Sequence, residues 1–174
     1  FKSLVLSLIK SNIKYSKLDP VTKPFLQAAG VKVTYDNSTV NIFSIYFPPR
    51  HNVQCLQYED FFKNIGQKFI VGGDFNAKHP WWGSRLSNPK GKELYKCIVK
   101  NHYSSLSTGN PTYWPSDPTK IPDLLDFIIY NGIPRSFLDI ADSADLSSDH
   151  SPIIITFSVA LHTVAKKLKI VTAK

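Results

Sequence analysis

Aliphatic and aromatic residues fall along this chain in short runs that change period. The opening FKSLVLSLIK is rich in Leu, Val and Ile and predicts a buried strand, and SNIKYSKLD continues as a second extended piece. VKVTY and VNIFSIYFPP flank DNS, a turn signal, and predict a hairpin. From Asn52 to about Gly66 the spacing becomes helical: Val53, Leu56, Phe61, Phe62 and Ile65 recur on one face, and the stretch ends on a glycine suited to a C-cap. KFIV then predicts a short buried strand running into Gly72 and Gly73. GKELYKCIVKNH predicts a second helix with Leu94, Ile98 and Val99 on a shared face. Short strands follow at YSSLS, PTYWP, LLDFIIY and PIIITFSVA. Strands interleaved with two helices, several of them joined by short turns, predict an α/β domain with mixed or antiparallel sheets.

At 174 residues, 43% hydrophobic and 13% aromatic, the chain has material for one domain with a substantial core. A net charge of +8 suits a polyanionic partner without identifying one. Cys55 and Cys97 fall in the two predicted helices at no metal-binding spacing, which favours a reduced intracellular setting, nuclear or cytoplasmic, over secretion. No apolar run approaches the roughly 20 residues of a membrane span, and no signal peptide is visible. The chain has no methionine and begins at Phe1 inside an apolar stretch, so it reads as a piece whose natural start lies upstream. The basic tail AKKLKIVTAK reads as a linker, residues 161–174, leading from a domain over residues 1–160 toward a further domain.

The candidate chemistry sits at strand ends. In IVGGDFN, Asp74 and Asn76 lie two apart on an expected extended segment and so point to the same side. They form either a simple Asp-Asn turn or a pair that holds a water or a phosphate oxygen, Asp as proton acceptor and Asn as orienting donor. In LSSDHSPIIITF, Asp149 and His150 stand just before a long apolar strand, where a hard carboxylate suits Mg²⁺ and an imidazole can donate to a phosphate oxygen. A loop with a satisfied histidine is the plainer reading. Asp126 interrupts the apolar LLDFIIY, a costly position unless something pairs with it. A histidine is its natural partner, because the carboxylate orients the ring and favours the protonated form.

Taken in order, IYFPP, GGDFN, LLDFII and SSDHSPI resemble the endonuclease/exonuclease/phosphatase superfamily, whose members include enzymes similar to deoxyribonuclease I and the apurinic/apyrimidinic endonucleases. The resemblance covers nearly all residues from Val33 to Val159. It implies a four-layer α/β/β/α sandwich, two mixed sheets flanked by helices, lacking here its first strands, with a metal-dependent phosphodiesterase site at the sheet edges. Carried over by position, it implies that Asp74 activates the attacking water and Asn76 orients the water or the phosphate. Tyr46 would contact the phosphate, His150 would stabilise the transition state, Asp126 would orient His150, and Asp149 would help to hold Mg²⁺, with Mn²⁺ as the alternative ion.

AKHPWWGSR and STGNPTYWPSD look like the endonuclease domain of jockey-type non-LTR retrotransposons. That domain nicks target DNA to expose a 3′-hydroxyl that primes reverse transcription, and it precedes a reverse transcriptase. Trp81, Trp82 and Arg85 could stack on or lie against a nucleic acid strand, with Thr112, Tyr113 and Trp114 in a nearby hairpin. An anchoring role for one tryptophan remains open. Lys78, Arg85, Lys90 and Lys92 suit phosphate backbone contacts or a solvated basic face. The superfamily pattern also asks for an upstream asparagine strand and a glutamate metal ligand. Asn12 is not in that context, and Glu59 and Glu93 lie on predicted helices. The expectation is therefore a nuclease whose activity in this chain alone is weak or absent. A DNA-binding remnant that does not cut, or a phosphatase of small molecules or lipids, are the rival readings.

Overall fold

The structure is a computed structural model that describes residues 13–35, 38–143, 148–159 and 166–172. Its elements run β1 (Tyr15–Lys17), β2 (Val21–Lys23), β3 (Leu26–Tyr35), β4 (Ser38–Tyr46), α1 (Cys55–Asn64), β5 (Phe69–Asp74), α2 (Pro89–Lys100), β6 (Ser104–Leu106), β7 (Asp126–Asn131), β8 (Leu138–Asp142), β9 (Ile153–Val159) and β10 (Lys166–Thr172). Single 3₁₀ turns sit at Pro80–Trp82 and Arg135–Phe137. The strand expected in FKSLVLSLIK, and Asn12, lie outside the described residues.

Seven strands form the main sheet, ordered β1-β3-β4-β5-β7-β6, with β2 also on β3. The predicted hairpin is β3 and β4, paired antiparallel from Gln27 opposite Tyr46 to Tyr35 opposite Ser38. β5 lies at the centre, parallel to β4 and antiparallel to β7. Buried on both faces, it reads as a continuous apolar run ending in two glycines and Asp74, with no alternation. Gly73 has φ +143°, and a Cβ there would stand 2.2 Å from the Ile45 carbonyl oxygen, so only glycine lets β5 approach β4 this closely.

The alternating side chains of β4, β5 and β7 feed two cores. One face, including Phe43, Ile45, Phe69, Val71, Phe127 and Ile129, packs under α1 and α2. The other, including Ile42, Ile70, Ile128 and Tyr130, packs on a three-stranded antiparallel sheet, β10-β9-β8, through Leu138, Ile153, Ile155 and Phe157. Among the described residues the layers are thus helices, mixed sheet and second sheet, three of the four that the resemblance implies. Lys166–Thr172, inside the stretch read as a linker, pairs along its whole length with β9. No described helix is long and apolar enough to cross a membrane.

Both helices form where their periodicity placed them, but each predicted face carries one wrong member. Leu56 is 70% exposed and Val99 is 51% exposed. Tyr58 and Cys97 take the buried places, fully enclosed beside Phe62 and Leu94. The two helices are tied by Glu59, whose carboxyl accepts from Lys100 at 2.8 Å. That ammonium holds the Glu59 carboxyl down at about 2. PTYWP is not a strand: Tyr113 makes isolated bridges to Asp123 and His150. Its two prolines remove the backbone donors a ladder needs. β2 and β8 go unpredicted, because each is a short edge piece whose sequence carries little alternation.

Candidate active site

Tyr46, Asp74 and Asp126 occupy one row of the main sheet, Asp74 in register with Tyr46 on one side and with Asp126 on the other. Strand direction explains the row. β4 and β5 run parallel and end there, while β7 runs antiparallel and begins there. The convergence of Asp74 with Asn76 arises differently from the expected alternation. β5 stops at Asp74, and Asn76 adopts a left-handed backbone with φ +45°. Asparagine tolerates that region because its side chain bonds locally. Here its backbone N–H donates to Asp74 Oδ1 at 2.8 Å and its Nδ2 to Asp74 Oδ2 at 2.7 Å.

His150 arrives from the loop before β9, held by a bridge to Tyr113, whose ring lies 5.0 Å from its own. The partner expected for Asp126 is present: His150 Nδ1 lies 2.7 Å from Asp126 Oδ2. With Nδ1 engaged there, Nε2 faces Asp74, 3.9 Å from Oδ2. Asp74, Asp126 and His150 are all buried, in a setting where charge interactions are strong. Asp149 is exposed and stands apart from them in burial, while His150 beside it turns inward.

The residues expected at a DNA interface divide sharply. Trp81 is 61% exposed and Trp114 48% exposed. Trp82 is only 2% exposed: it stacks on Phe127 at 4.8 Å and donates from Nε1 to the Ala77 carbonyl at 3.0 Å, so it anchors the loop and is not available to DNA. Thr112, fully buried, is likewise no surface contact. Its hydroxyl accepts from the N–H groups of Leu125 and Asp126 at 3.0 and 2.9 Å, and so clamps the start of β7. Lys78 pairs with buried Asp123 at 3.0 Å. Arg85 and Lys92 are exposed, and the Arg85 N–H donates to Asp123 Oδ1 at 3.0 Å. Trp114 has its indole N–H on Ser151 Oγ at 2.9 Å and its backbone N–H on the Asp149 carbonyl at 2.7 Å. Lys90, read as a phosphate contact, is 3% exposed and points inward.

Sequence reasoning missed Asp123, Asn88 and the role of His79. Burial pushes the Asp123 carboxyl up, but the N–H of Arg85 and the Lys78 ammonium outweigh it and leave it below the usual carboxylate range. No local pattern marks Asp123, since apart from the adjacent Leu124 N–H its side-chain partners, Arg85 and Lys78, are 38 and 45 residues away along the chain. Asn88 was legible: Asn before Pro is a helix start, and its side chain caps α2 by accepting from the Gly91 N–H at 2.7 Å. His79 caps the Pro80–Trp82 turn, accepting from the Trp81 N–H at 3.2 Å, and stacks on Tyr95 at 4.3 Å. Burial lowers its pKa below the ordinary histidine value.

No group of three or more His, Cys, Asp and Glu side chains placed to hold a metal occurs among the described residues. Asp74 is engaged by Asn76 and Asp126 by His150, so the described donor set does not build a metal cage.

Comparison with known proteins agrees with this geometry. The model of the endonuclease-reverse transcriptase family matches residues 40–154, which takes in Tyr46, Asp74, Asp126 and His150. The chain is 39% identical over 147 residues to the RNA-directed DNA polymerase from mobile element jockey of Drosophila melanogaster, and 34% identical over 147 residues to its counterpart in Drosophila funebris. Each match covers 84% of this chain and 16% of the relative, so the chain spans about a sixth of the length of these relatives. In fold it is similar to the endonuclease domain of TRAS1, a telomere-specific non-LTR retrotransposon, with a TM-score of 0.71 at 21% identity over 86% of this chain and 71% of that one. The match over residues 40–154, which takes in the buried Asp-His-Asp constellation at the strand ends of the mixed sheet, establishes that the chain belongs to the endonuclease-reverse transcriptase family.

Proposed function

We propose that this domain hydrolyses phosphodiester bonds in DNA, and that the nick it makes exposes a 3′-hydroxyl for priming by a reverse transcriptase on the same polypeptide. The observation that carries the reading is the placement of His150 between Asp126 and Asp74, with Tyr46 completing the row. In this reading Asp74 takes the proton of the attacking water and Asn76 orients the water or the phosphate. Asp126 holds Nδ1, so that Nε2 of His150 is the atom that donates to a phosphate oxygen as negative charge grows there. Tyr46 contacts the phosphate from the neighbouring strand. The P–O3′ bond breaks, a proton goes to the departing 3′ oxygen, and the other product is a 5′-phosphate.

Superfamily enzymes generally use divalent ions, but the described side chains do not fit a closed metal site. Asp149, the carboxylate that the resemblance gives to the ion, is exposed, and a single carboxylate holds Mg²⁺ weakly. The reading therefore includes slow nicking by this chain alone, inside the cell where DNA is the substrate. Jockey-type relatives named as RNA-directed DNA polymerases support the linked polymerase, and exposed Trp81, Trp114, Arg85 and Lys92 support a DNA interface.

The test is relaxation of supercoiled plasmid with and without Mg²⁺ or Mn²⁺. A slow conversion to open circle that falls about 100-fold or more in Asp74→Ala is expected, the scale of losing a central catalytic group. Conversion untouched by Asp74→Ala would sink the catalytic assignment. Salt-dependent binding without any nicking would favour the DNA-binding remnant.

A further inference from the structure

The first turn of α2 lies against the catalytic loop. Asn88 Nδ2 donates to the carbonyl of Asn76 at 3.1 Å, its backbone N–H donates to the carbonyl of Lys78 at 3.0 Å, and its Oδ1 accepts from the Lys78 N–H at 3.0 Å. A Cβ on Gly91 would stand 1.8 Å from the Lys78 carbonyl oxygen, which measures how closely helix and loop approach. Between these contacts Lys90 leaves the helix pointing toward its N-terminus, as helical side chains do, and reaches the end of β4. Its ammonium donates to the carbonyls of Phe47, at 3.4 Å, and Pro48. Those residues follow Tyr46 directly. On the outer side, Tyr46, Pro48, Pro49 and Arg50 line an open groove of about 620 Å³.

This is a poor place for a cation if folding alone decided. Lys90 is 3% exposed, so its charge is stripped of water. It sits at the N-terminal end of a helix, where the macrodipole disfavours positive charge. Two carbonyls replace only part of its hydration. Burial lowers its pKa to about 8, and the countercharge that opposes this is Asp74, the residue in register with Tyr46. An interaction that works against the fold and holds the turn behind Tyr46 belongs with function.

We propose that Lys90 is a positioning residue of the catalytic centre: its buried ammonium holds the Phe47–Pro48 turn that follows Tyr46 against the start of α2, which is itself bonded to the loop of Asp74 and Asn76. The proposal rests on the nuclease reading for its consequence, though not for its geometry. Asp74, the countercharge to Lys90, is itself faced by Asp126, in register with it, and by His150 at 3.9 Å. With the ammonium removed, Asp74 loses an attractive partner and ionises at higher pH, and the Tyr46 turn loses its tether.

Lys90→Met keeps the length of the side chain and removes the charge. Three measurements on the whole chain decide: stability in urea, plasmid nicking with kcat and KM resolved across pH, and the ¹³C carboxyl titration of Asp74. The expected result is stability equal to or above that of the parent, kcat lower by about tenfold with KM within about twofold, and an acidic limb and Asp74 midpoint both moved to higher pH. A merely structural lysine would give lower stability with an unmoved Asp74 midpoint, and that overturns the proposal. So does a variant with parental kcat and parental midpoint. Lys90→Gln, smaller and still polar, repeats the comparison if the methionine variant fails to fold. Should the parent chain not nick at all, the nuclease reading falls, and the Asp74 midpoint alone decides for or against Lys90.

Discussion

Two adjacent tryptophans show how far residue type underdetermines role. Trp81 and Trp82 share a loop and a chemistry, yet one faces water and the other fills the space over Phe127. The 3₁₀ turn capped by His79 separates them, because three residues per turn send neighbouring side chains to different sides. Trp82→Ala is expected to lower stability by about 3–5 kcal/mol, the range for emptying an aromatic site in a core. Trp81→Ala should leave the urea midpoint nearly unchanged and weaken oligonucleotide binding in fluorescence anisotropy. The reverse pattern in melts and binding curves would show that the two rings have been given each other's tasks. Asp126 was legible at this scale because a carboxylate in an apolar strand demands a partner, and His150 is that partner. Lys90 was not legible: a lysine in NPKGKE reads as one solvated charge among several, and only the packing of α2 against the Phe47–Pro48 turn after β4 encloses it.

At the scale of elements, α2 joins helix physics to the site. Its cap Asn88 satisfies both the helix end and the Asp74–Asn76 loop, so the element cannot shift along its axis without dragging Asn76. Gly91 makes this testable. In a free helix Ala is favoured over Gly by about 1 kcal/mol, so local propensity predicts that Gly91→Ala stabilises. The Cβ would, however, overlap the Lys78 carbonyl oxygen, and backbone cannot rotate away as a side chain can. We expect Gly91→Ala to lower the urea midpoint and slow nicking together, and a raised midpoint in the same melt would contradict the contact. The helical periods that placed α1 and α2 were sound, since Phe61, Phe62, Leu94 and Ile98 are buried. They misassigned Leu56 and Val99 because a 3.6-residue repeat tolerates a margin of one position, and the neighbouring elements choose which side of that margin is covered.

For the whole molecule the relevant quantity is charge. A net +8 reads as a preference for polyanions, but Lys78 is paired with Asp123 and Lys90 is buried, which leaves the field to side chains such as Arg85 and Lys92. Binding to duplex DNA should weaken linearly on a log–log plot against salt, with a slope of about −0.9 per phosphate neutralised. Arg85→Ala should make that slope shallower by about one, and Lys90→Met should leave it unaltered. An equal change in both slopes would place Lys90 at the DNA surface after all.

Sequence alone determined the elements whose signal is local. Periodicity placed the two helices, turn residues placed the β3–β4 hairpin, apolar runs placed β5, β7 and β9, and the polar residues at strand ends marked Asp74, Asn76, Asp126 and His150. Tertiary structure alone decided which strands adjoin, that Tyr46, Asp74 and Asp126 fall in one row, and which of Trp81 and Trp82, or of the lysines, meets solvent. The reason is range. A helix or a turn is specified by hydrogen bonds and sterics over a few residues, whereas burial and register depend on partners such as Asp123 for Lys78 or Phe47 for Lys90, more than 40 positions apart, which no local pattern can name.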